Sequence, residues 1–144
     1  MLLGEYEHTI DDKNRLTLPA KFRQAFEEGV VVTRGIDPCL AVYTRDEWSA
    51  FVSAQLGNLD QFSREARQMR RYLFSAATEG ELDRQGRVTL PTPLMKYAGL
   101  TRDAVVAGVQ DHVEIWDAAA WRAQLEEVEG SAELVAERLA TTRR

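Results

Sequence analysis

Short runs of apolar residues, bounded by turn-forming residues, occur at matching positions in the two halves of the chain. In the first half they fill residues 30–33 and 40–43, and in the second half residues 104–107 and 113–116. β-branched and aromatic residues in short runs on either side of a turn are typical of β-hairpins. The pattern therefore predicts one hairpin in each half.

Two short helices are predicted, each directly after an apolar strand that ends in proline. In the first half the helix is expected over residues 20–26, because Pro19 ends the strand and sets a helical φ. In the second half we expect Thr92 to cap the N-terminus of the helix and Gly99 to end it.

Three more segments carry helix signals. Thr44 and Glu47 form a capping box, which predicts a short amphipathic helix containing Trp48. Asp117 is expected to cap the matching helix in the second half. Residues 63–74 are predicted to form a longer helix, because their apolar side chains recur on one helical face.

One motif occurs twice, as DDKNRLTLP at residues 11–19 and as DRQGRVTLP at residues 83–91. Both copies read D-x-x-x-R-[LV]-T-L-P, and the similarity continues through the hairpins to Trp48 and Trp121. Self-similarity of this extent indicates a duplicated structural unit. Because the tryptophans recur at matching positions, we expect them, with Trp116, to pack in the core or against another subunit.

The duplication divides the chain into two copies of one unit. We expect residues 1–51 to form the first unit, residues 52–76 a helical linker and residues 77–124 the second unit. Residues 125–144 form an acidic tail that is helical or disordered. Each unit alone would bury too little apolar surface to be comfortably stable, so the two are expected to pack on each other.

Composition restricts the partners that the chain can bind. The net charge of −5 argues against attraction of the whole surface to nucleic acid or anionic lipid, so such binding needs a local basic patch. No apolar run approaches the roughly 20 residues of a membrane span, and no signal sequence follows Met1. The one cysteine, Cys39, fits a reducing compartment. We therefore expect a cytoplasmic protein that does not enter a membrane.

The motif pairs Asp11 with Arg15, and Asp83 with Arg87, four residues apart. Across a strand–turn–strand, such a carboxylate can hold the guanidinium through charge-assisted hydrogen bonds. An arginine oriented in this way can reach a phosphate or both acceptors of a guanine. Alternatively, the pair has only a structural role and holds the two strands of a hairpin together. Exposed ion pairs of this kind are common and contribute little stability. The spacing alone leaves both interpretations open.

Residues 4–23, GEYEHTIDDKNRLTLPAKFR, closely resemble the start of the MraZ family of bacterial transcription regulators. The second motif, the strand at residues 113–116 and Trp121 fit the same family, so the resemblance covers nearly the whole chain. A frequent family glycine before the motif arginine is Asn14 in the first copy, whereas Gly86 keeps it in the second. Asparagine tolerates a positive φ better than most residues, so the turn is expected to survive.

The resemblance implies an α+β, mainly β fold, in which two SpoVT/AbrB-type units with swapped hairpins form one pseudo-dimeric β-barrel with flanking helices. It implies a homo-oligomer, in the form of a ring. It also implies double-stranded DNA as the partner, at promoter repeats upstream of the division and cell-wall gene cluster, including the chain's own promoter. The expected location is the cytoplasm, in association with the nucleoid.

With the resemblance, the motif arginines become candidate DNA-reading residues and the neighbouring cations candidate phosphate contacts. The candidates are Asp11, Lys13, Asn14, Arg15, Lys21, Arg23, Asp83, Arg84 and Arg87. Between residues 114 and 137 there are seven acidic residues and one arginine, so much of the negative charge lies away from the motifs. Several copies of a weakly basic turn, presented together, would also gain affinity through effective concentration.

Other classes of function have weaker support. No metal-ligand spacing links His8, His112 and Cys39, and no nucleotide-binding or nucleophile–base motif occurs, so we expect no cofactor and no metal. A paired-carboxylate enzyme is disfavoured, because each motif aspartate has an arginine beside it to keep it ionised. The alternative function is an antitoxin-like protein-interaction module whose tail binds a partner protein.

Overall fold

The two predicted hairpins form the middle of one six-stranded antiparallel sheet in a computed structural model, which describes residues 1–142. In chain order the strands are β1 (Leu2–Thr9), β2 (Arg15–Thr17), β3 (Val30–Arg34), β4 (Leu40–Tyr43), β5 (Thr78–Gly80), β6 (Arg87–Thr89), β7 (Asp103–Gln110) and β8 (Val113–Asp117). The helices are α1 (Ala20–Arg23), α2 (Arg45–Phe51), α3 (Arg64–Phe74), α4 (Thr92–Tyr97) and α5 (Ala118–Thr142). A 3-10 turn (Gln24–Phe26) follows α1, and a π-helical turn (Val52–Leu56) follows α2. The fold is α+β, with helices around a β-sheet core.

The halves exchange strands. The order in the large sheet is β1-β7-β8-β4-β3-β5, which reads the same from both edges once each strand is replaced by its counterpart in the other half. β1 of the first half pairs with β7 of the second, from Leu2 opposite Gln110 to Thr9 opposite Asp103. β5 of the second half pairs with β3 of the first. Each half completes its part of the sheet with a strand from the other, so the halves depend on each other for their hydrogen-bonded edges.

The motif strands β2 and β6 pair with each other in a separate two-stranded ribbon. At its centre Leu16 lies opposite Val88, and these side chains are 0% and 2% exposed. Side chains alternate between the two faces of a strand. The residues on either side of Leu16 and Val88 therefore share the outer face of the ribbon.

One hydrophobic core joins the ribbon to the large sheet. Leu18 and Leu90 follow the ribbon strands and are completely buried, and Phe22 of α1 and Leu94 of α4 pack into the same cluster. Burying a large apolar side chain contributes about 1.5–3 kcal/mol. Both halves supply this core, which agrees with the expectation that neither buries enough surface alone.

The tryptophans pack as expected. Trp48 lies against Tyr43 with ring centroids 5.5 Å apart, and the buried Trp116 lies 5.8 Å from Trp121. Both contacts join a strand of the sheet to the helix that follows it. The tryptophans therefore fasten α2 and the start of α5 to the sheet.

Two of the predicted caps are present. The hydroxyl of Thr44 accepts a hydrogen bond from the amide of Glu47 at 3.1 Å. The carboxylate of Asp117 accepts one from the amide of Ala120 at 3.0 Å. At the end of α4 the backbone turns at Gly99, whose φ is +64°, as expected of a helix-ending glycine.

The predicted cap at Thr92 is wrong. Helix α4 begins at Thr92 itself, and the extended residue that precedes the helix is Pro91, with φ −56° and ψ 142°. The hydroxyl of Thr92 instead accepts a hydrogen bond from the side-chain amide of Asn14 at 3.3 Å. A contact with the other half thus uses the group that the sequence pattern assigned to the cap.

The predicted linker helix and tail are both helical. α3 is tied to β3 by a hydrogen bond from the Thr33 hydroxyl to the Leu73 carbonyl at 2.8 Å. α5 continues through residue 125, where the acidic tail was expected to begin, as far as Thr142. Residues 143–144 of that tail lie outside the described residues. No helix within residues 1–142 has the length and apolar character needed to cross a membrane.

The burial of the ribbon can be tested by truncating its central side chain. Leu16→Ala should lower the free energy of unfolding by about 2–5 kcal/mol, because it leaves a cavity in a completely buried site. Thr17→Ala, on the outer face of the same strand, should change it by no more than about 0.5 kcal/mol. Urea denaturation measures both. Equal effects of the two substitutions would show that the ribbon does not pack on the core.

Candidate nucleic-acid interface

The first motif forms a tight turn that is organised by Asp11. One carboxylate oxygen, Oδ1, accepts hydrogen bonds from the amides of Lys13 at 2.9 Å and Arg15 at 2.8 Å. The other, Oδ2, accepts from Nε of the Arg15 side chain at 2.8 Å. The backbone closes the turn with a bond from the Asn14 amide to the Asp11 carbonyl at 3.0 Å. Both carboxylate oxygens are thus used to fix the turn and its arginine.

The second motif repeats this arrangement. Oδ1 of Asp83 accepts hydrogen bonds from the amides of Gln85 and Arg87, each at 2.9 Å, and Oδ2 accepts from Nε of Arg87 at 2.6 Å. The Gly86 amide donates to the Asp83 carbonyl at 2.9 Å. The Asp–Arg contact expected from the spacing is present in both copies.

The two arginines lie on the same outer face of the ribbon. Arg15 is opposite Thr89, and Thr17 is opposite Arg87, so the arginines are diagonal neighbours across the two strands. Diagonal positions in an antiparallel pair are separated by about 7–8 Å. Each arginine side chain is 27% exposed and is bonded to its carboxylate through Nε. In the part of the chain that the structure describes, no hydrogen bond occupies their terminal nitrogens, so those donors are available to a ligand.

Each turn is also attached to the other half of the chain. The Leu18 amide donates to the Gly86 carbonyl at 2.9 Å, and the Leu90 amide donates to the Asn14 carbonyl at 2.7 Å. These reciprocal bonds join the tip of each turn to the end of the opposite ribbon strand. The relative positions of the two arginines are therefore set by the backbone as well as by their own carboxylates.

Asn14 and Gly86 differ because their surroundings differ. Both have a positive φ, +60° and +75°. A Cβ on Gly86 would lie 2.5 Å from Nε of Arg23, which donates a 3.0 Å hydrogen bond to the Leu18 carbonyl. Only glycine fits there without moving Arg23. At Asn14 the side chain has room and bonds to Thr92, so a left-handed asparagine is accommodated.

The other candidate cations lie in two places. Lys13 is exposed in the first turn, and Arg84 is exposed in the second, where it lines a pocket together with Arg23. Lys21 instead lines a pocket with Asp46 and Glu47, beside the β7–β8 turn. The structure thus brings Lys13, Arg23 and Arg84 to the motif turns and separates Lys21 from them.

One cation near the first turn was not predicted. The Arg102 carbonyl accepts a hydrogen bond from the amide of Ile10 at 2.7 Å, which places Arg102 next to the residue that precedes Asp11. Its side chain is exposed. The sequence offered no signal for it, because Arg102 lies outside the duplicated motif and the strand pairing alone brings it there.

Both motif carboxyls have a pKa below the ordinary aspartate value. At Asp11, partial burial acts in the opposite direction and is outweighed by hydrogen bonds from the backbone and side chain of Arg15 and from the Lys13 backbone. At Asp83 the largest cause is the hydrogen bond from the Arg87 backbone. Both groups are therefore anionic at neutral pH, and each keeps its arginine oriented.

His112 and Cys39 have packing roles. His112 stacks on Tyr43 with ring centroids 4.7 Å apart and contacts Asp111 through Nδ1 at 2.7 Å. Cys39 is buried, and burial raises the pKa of its thiol. Among residues 1–142 no group of three or more histidine, cysteine or acidic side chains is arranged to hold a metal ion.

The strand-exchanged sheet and the paired Asp–Arg turns define a class of duplicated two-unit proteins with a cationic ribbon face. A family model described as "MraZ protein, putative antitoxin-like" matches residues 1–71 and again residues 73–143. The chain therefore belongs to the MraZ family, as the motif predicted.

Full-length relatives agree with this membership. The transcriptional regulator MraZ of Roseiflexus castenholzii is 48% identical over 143 residues, which cover 99% of each chain. The protein of the same name from Thermomicrobium roseum is 47% identical over 141 residues, covering 98% of this chain and 99% of its own. That of Limosilactobacillus fermentum is 51% identical over 121 residues, 84% of each chain. The chain is a transcriptional regulator.

The charge of the motif carboxyl can be tested by changing pH. Asp11→Asn keeps an acceptor for the turn amides but removes the charge that holds Arg15. Because the pKa of Asp11 is lowered in the folded state, its charged contacts stabilise the fold above the unfolded pKa of about 3.9 and are lost as pH falls through the lower folded value. The difference in melting temperature between wild type and Asp11→Asn should thus be constant above about pH 5 and should shrink below about pH 4. A difference that grows as pH falls through this range would contradict the assignment.

Proposed function

We propose that this regulator binds DNA in a sequence-specific manner through the outer face of the β2–β6 ribbon and its two turns. The observation that carries the proposal is the placement of Arg15 and Arg87 on one exposed face, each fixed by a carboxylate at Nε. Each carboxylate holds its arginine through Nε, so the folded turn fixes the orientation of the guanidinium. A pair that only stapled the hairpin would not need terminal donors, and those of Arg15 and Arg87 have no hydrogen-bond partner among residues 1–142.

A two-stranded ribbon such as that of β2 and β6 is an element that can enter the major groove of DNA. That groove admits a two-stranded β-ribbon, and arginine recognises guanine there through O6 and N7. With Nε occupied by aspartate, the terminal nitrogens of Arg15 and Arg87 supply the donors for such a contact. Asp11 and Asp83 act as positioning residues, and their anionic form is the one present at neutral pH.

Cations around the ribbon are suited to contact the phosphates on either side. We assign this role to Lys13, Arg23, Arg84 and Arg102, all of which lie near a motif turn. Lys21 is left out, because it lines a different pocket from Arg23 and Arg84, beside the β7–β8 turn and not beside a motif turn. The net charge of −5 does not oppose this surface, because five glutamates between residues 126 and 137 belong to α5, away from the ribbon.

We further propose that the fold is the swapped-hairpin barrel of two SpoVT/AbrB-type units, residues 1–51 and 77–124, joined by residues 52–76. The exchanged strands β1 and β5 and the shared β2–β6 ribbon support this arrangement. In this proposal, copies of the chain assemble into a ring that is associated with the nucleoid. The ring binds repeated promoter sites upstream of division and cell-wall genes and of the chain's own gene. Several ribbons in one assembly would raise the affinity for repeated sites.

A second candidate, an antitoxin-like interaction module, is favoured by the wording of the family description and by the long exposed helix α5. It differs from the first candidate in its contact surface, because a protein partner would bind α5. A paired-carboxylate enzyme has no such support. Each motif aspartate is bonded to its own arginine and not to the other aspartate.

The DNA-reading role is tested by removing each guanidinium. Arg15→Ala should weaken binding to DNA from upstream of the chain's own gene by about 1–3 kcal/mol per working subunit, and Arg87→Ala should do the same if both turns contact DNA. Lys21→Ala is the matched control, because it removes a cation of the same half that lies away from the ribbon. Gel-shift titration against scrambled DNA measures the effects.

Melting temperature and assembly size show whether each variant is folded. A folded Arg15→Ala protein that binds the upstream DNA as tightly as wild type would contradict the proposal. A folded wild type with no preference for that DNA, and with affinity for a protein partner through α5, would favour the second candidate.

Salt dependence separates phosphate contacts from base contacts. Binding should weaken steeply as salt rises, with log K against log[salt] sloping at about −0.9 for each phosphate contacted. Arg84→Ala should make the slope less negative by about one phosphate and weaken specific and scrambled DNA equally. Fluorescence anisotropy over a salt series measures this. A slope near zero for the wild type would exclude the cationic ribbon as the contact surface.

A further inference from the structure

A small cavity lies between the end of α3 and the start of α4. Its volume is about 330 Å³, and it is lined by Arg34 of β3, by residues 75–78, which lead from α3 into β5, and by Pro91, Pro93, Leu94 and Tyr97. This volume is at the lower end of the range of about 300–1,000 Å³ that is typical of small-molecule sites. None of the residues assigned above to DNA contacts is in its wall. The cavity and the proposed DNA interface therefore have no such residue in common.

Arg34 is held in one orientation at the wall of this cavity. Its Nε donates a hydrogen bond to the Tyr72 carbonyl at 2.8 Å, and its guanidinium carbon Cζ lies 4.2 Å from the centroid of the Tyr72 ring. A guanidinium over the face of an aromatic ring is attracted to it. The hydroxyl of Tyr72 donates to the Gly35 carbonyl at 2.8 Å, so the ring is itself attached to the residue that follows Arg34. The backbone and the ring of Tyr72 together fix the guanidinium.

The charge of Arg34 is not balanced within the described chain. The half-buried Arg34 forms no ion pair among residues 1–142, and no hydrogen bond there occupies its terminal nitrogens. The cavity wall contains no aspartate or glutamate. Tyr97 stays neutral, because burial and the hydrogen bond with Tyr72 raise the pKa of its phenol. Free guanidinium donors in a wall without acidic groups favour an anionic occupant.

The duplicated half indicates that the fold itself does not require this arginine. Arg34 follows the apolar run of β3, and the residue that follows the matching run of β7 is Gly108. A Cβ on Gly108 would lie 2.6 Å from the backbone of Leu2, because β1 covers that position. β5, the counterpart of β1, begins at Thr78 opposite Val32 and so does not reach Arg34. The shorter strand leaves room for the arginine and for the cavity beside it.

The composition of the wall selects the kind of anion. The terminal nitrogens of one guanidinium match a carboxylate, whereas the wall has no second cation for the second charge of a phosphate. It has no acidic group to pair with an ammonium, which disfavours free amino acids. Most of the remaining wall is apolar, and the volume is that of about eleven water molecules at about 30 Å³ each. These features fit a compact monocarboxylate with an apolar body of roughly ten non-hydrogen atoms in all.

We propose that this cavity binds a small monocarboxylate, whose carboxylate pairs with Arg34 and whose apolar body packs on Pro91, Pro93 and Leu94. The site is additional to the DNA interface and does not depend on how the chain contacts DNA. If Arg34 only fastened β3 to α3, the guanidinium would be needed but the cavity would not. Ligand binding, and not stability, therefore separates the two roles.

Benzoate is a probe of this size and chemistry, and benzamide is its neutral counterpart of nearly the same shape. An NMR titration of the full chain should show saturable binding of benzoate, with changes in the Nε–H signal of Arg34 and the amide signal of Thr78. Benzamide should bind at least about tenfold more weakly, because it lacks the charge-assisted contact. Equal affinities for the two probes, or no change at these signals, would overturn the proposal. Tighter binding of phenyl phosphate than of benzoate would overturn the assignment of a monocarboxylate.

Two substitutions test the contact from its two sides. Arg34→Gln removes the guanidinium and should weaken benzoate binding about tenfold or more. Its matched control is Arg70→Gln, which removes an arginine that lies over the Phe74 ring outside the cavity. Pro93→Glu leaves Arg34 in place and adds a carboxylate to the wall, in the first turn of α4, where a negative charge is favourable. Pro93→Glu should block benzoate binding, whereas the neutral Pro93→Gln should not.

Melting temperature shows whether each variant is folded. If Arg34→Gln does not fold, the two Pro93 variants decide, because both keep Arg34. Benzoate affinity equal to that of wild type in folded Arg34→Gln, or in folded Pro93→Glu, would contradict the proposed site. The DNA-reading arginines are unchanged in all four variants, so gel-shift titration with the upstream DNA tests the proposed function separately.

Discussion

β2 and β6 pair with Leu16 opposite Val88, and this register determines which side chains enter the core and which lie on the outer face of the ribbon. It directs both apolar side chains into the common core and places Arg15 and Arg87 on the outer face. A slip of one residue would turn the arginines inward and expose the core side chains. Hydrogen bonds from Leu18 to the opposite turn, and from Leu90 to the first, oppose such a slip. The site and the core therefore have the same structural origin.

The proposed interface depends on the charges around the ribbon and not on the net charge of the whole chain. Both carboxylate oxygens of each motif aspartate accept hydrogen bonds from its own turn and arginine. These hydrogen bonds keep the pKa of the carboxyl low enough for it to stay anionic at neutral pH. Its charge orients the guanidinium without covering the terminal nitrogens. Five of the chain's 23 acidic residues are glutamates of α5, outside the duplicated motifs.

The sequence predicted the elements that rest on local signals. The hairpins, the caps at Thr44 and Asp117 and the Asp–Arg turns follow from short-range patterns and are present. What it could not predict depends on contacts between the halves. Thr92 bonds to Asn14 instead of capping a helix, and strand pairing brings Arg102 to the first turn. Lys21 and Arg23 are close in sequence, yet their side chains leave α1 toward different surroundings.

We infer that both guanidinium groups of the ribbon face contact DNA together. The most direct measurement is an NMR titration of the arginine Nε–H signals with a duplex that contains one binding site. We predict that the Arg15 and Arg87 signals shift together and saturate at the same DNA concentration, while the core amides of Leu16 and Val88 keep their folded environment. Saturation of binding with both arginine signals unchanged would contradict it.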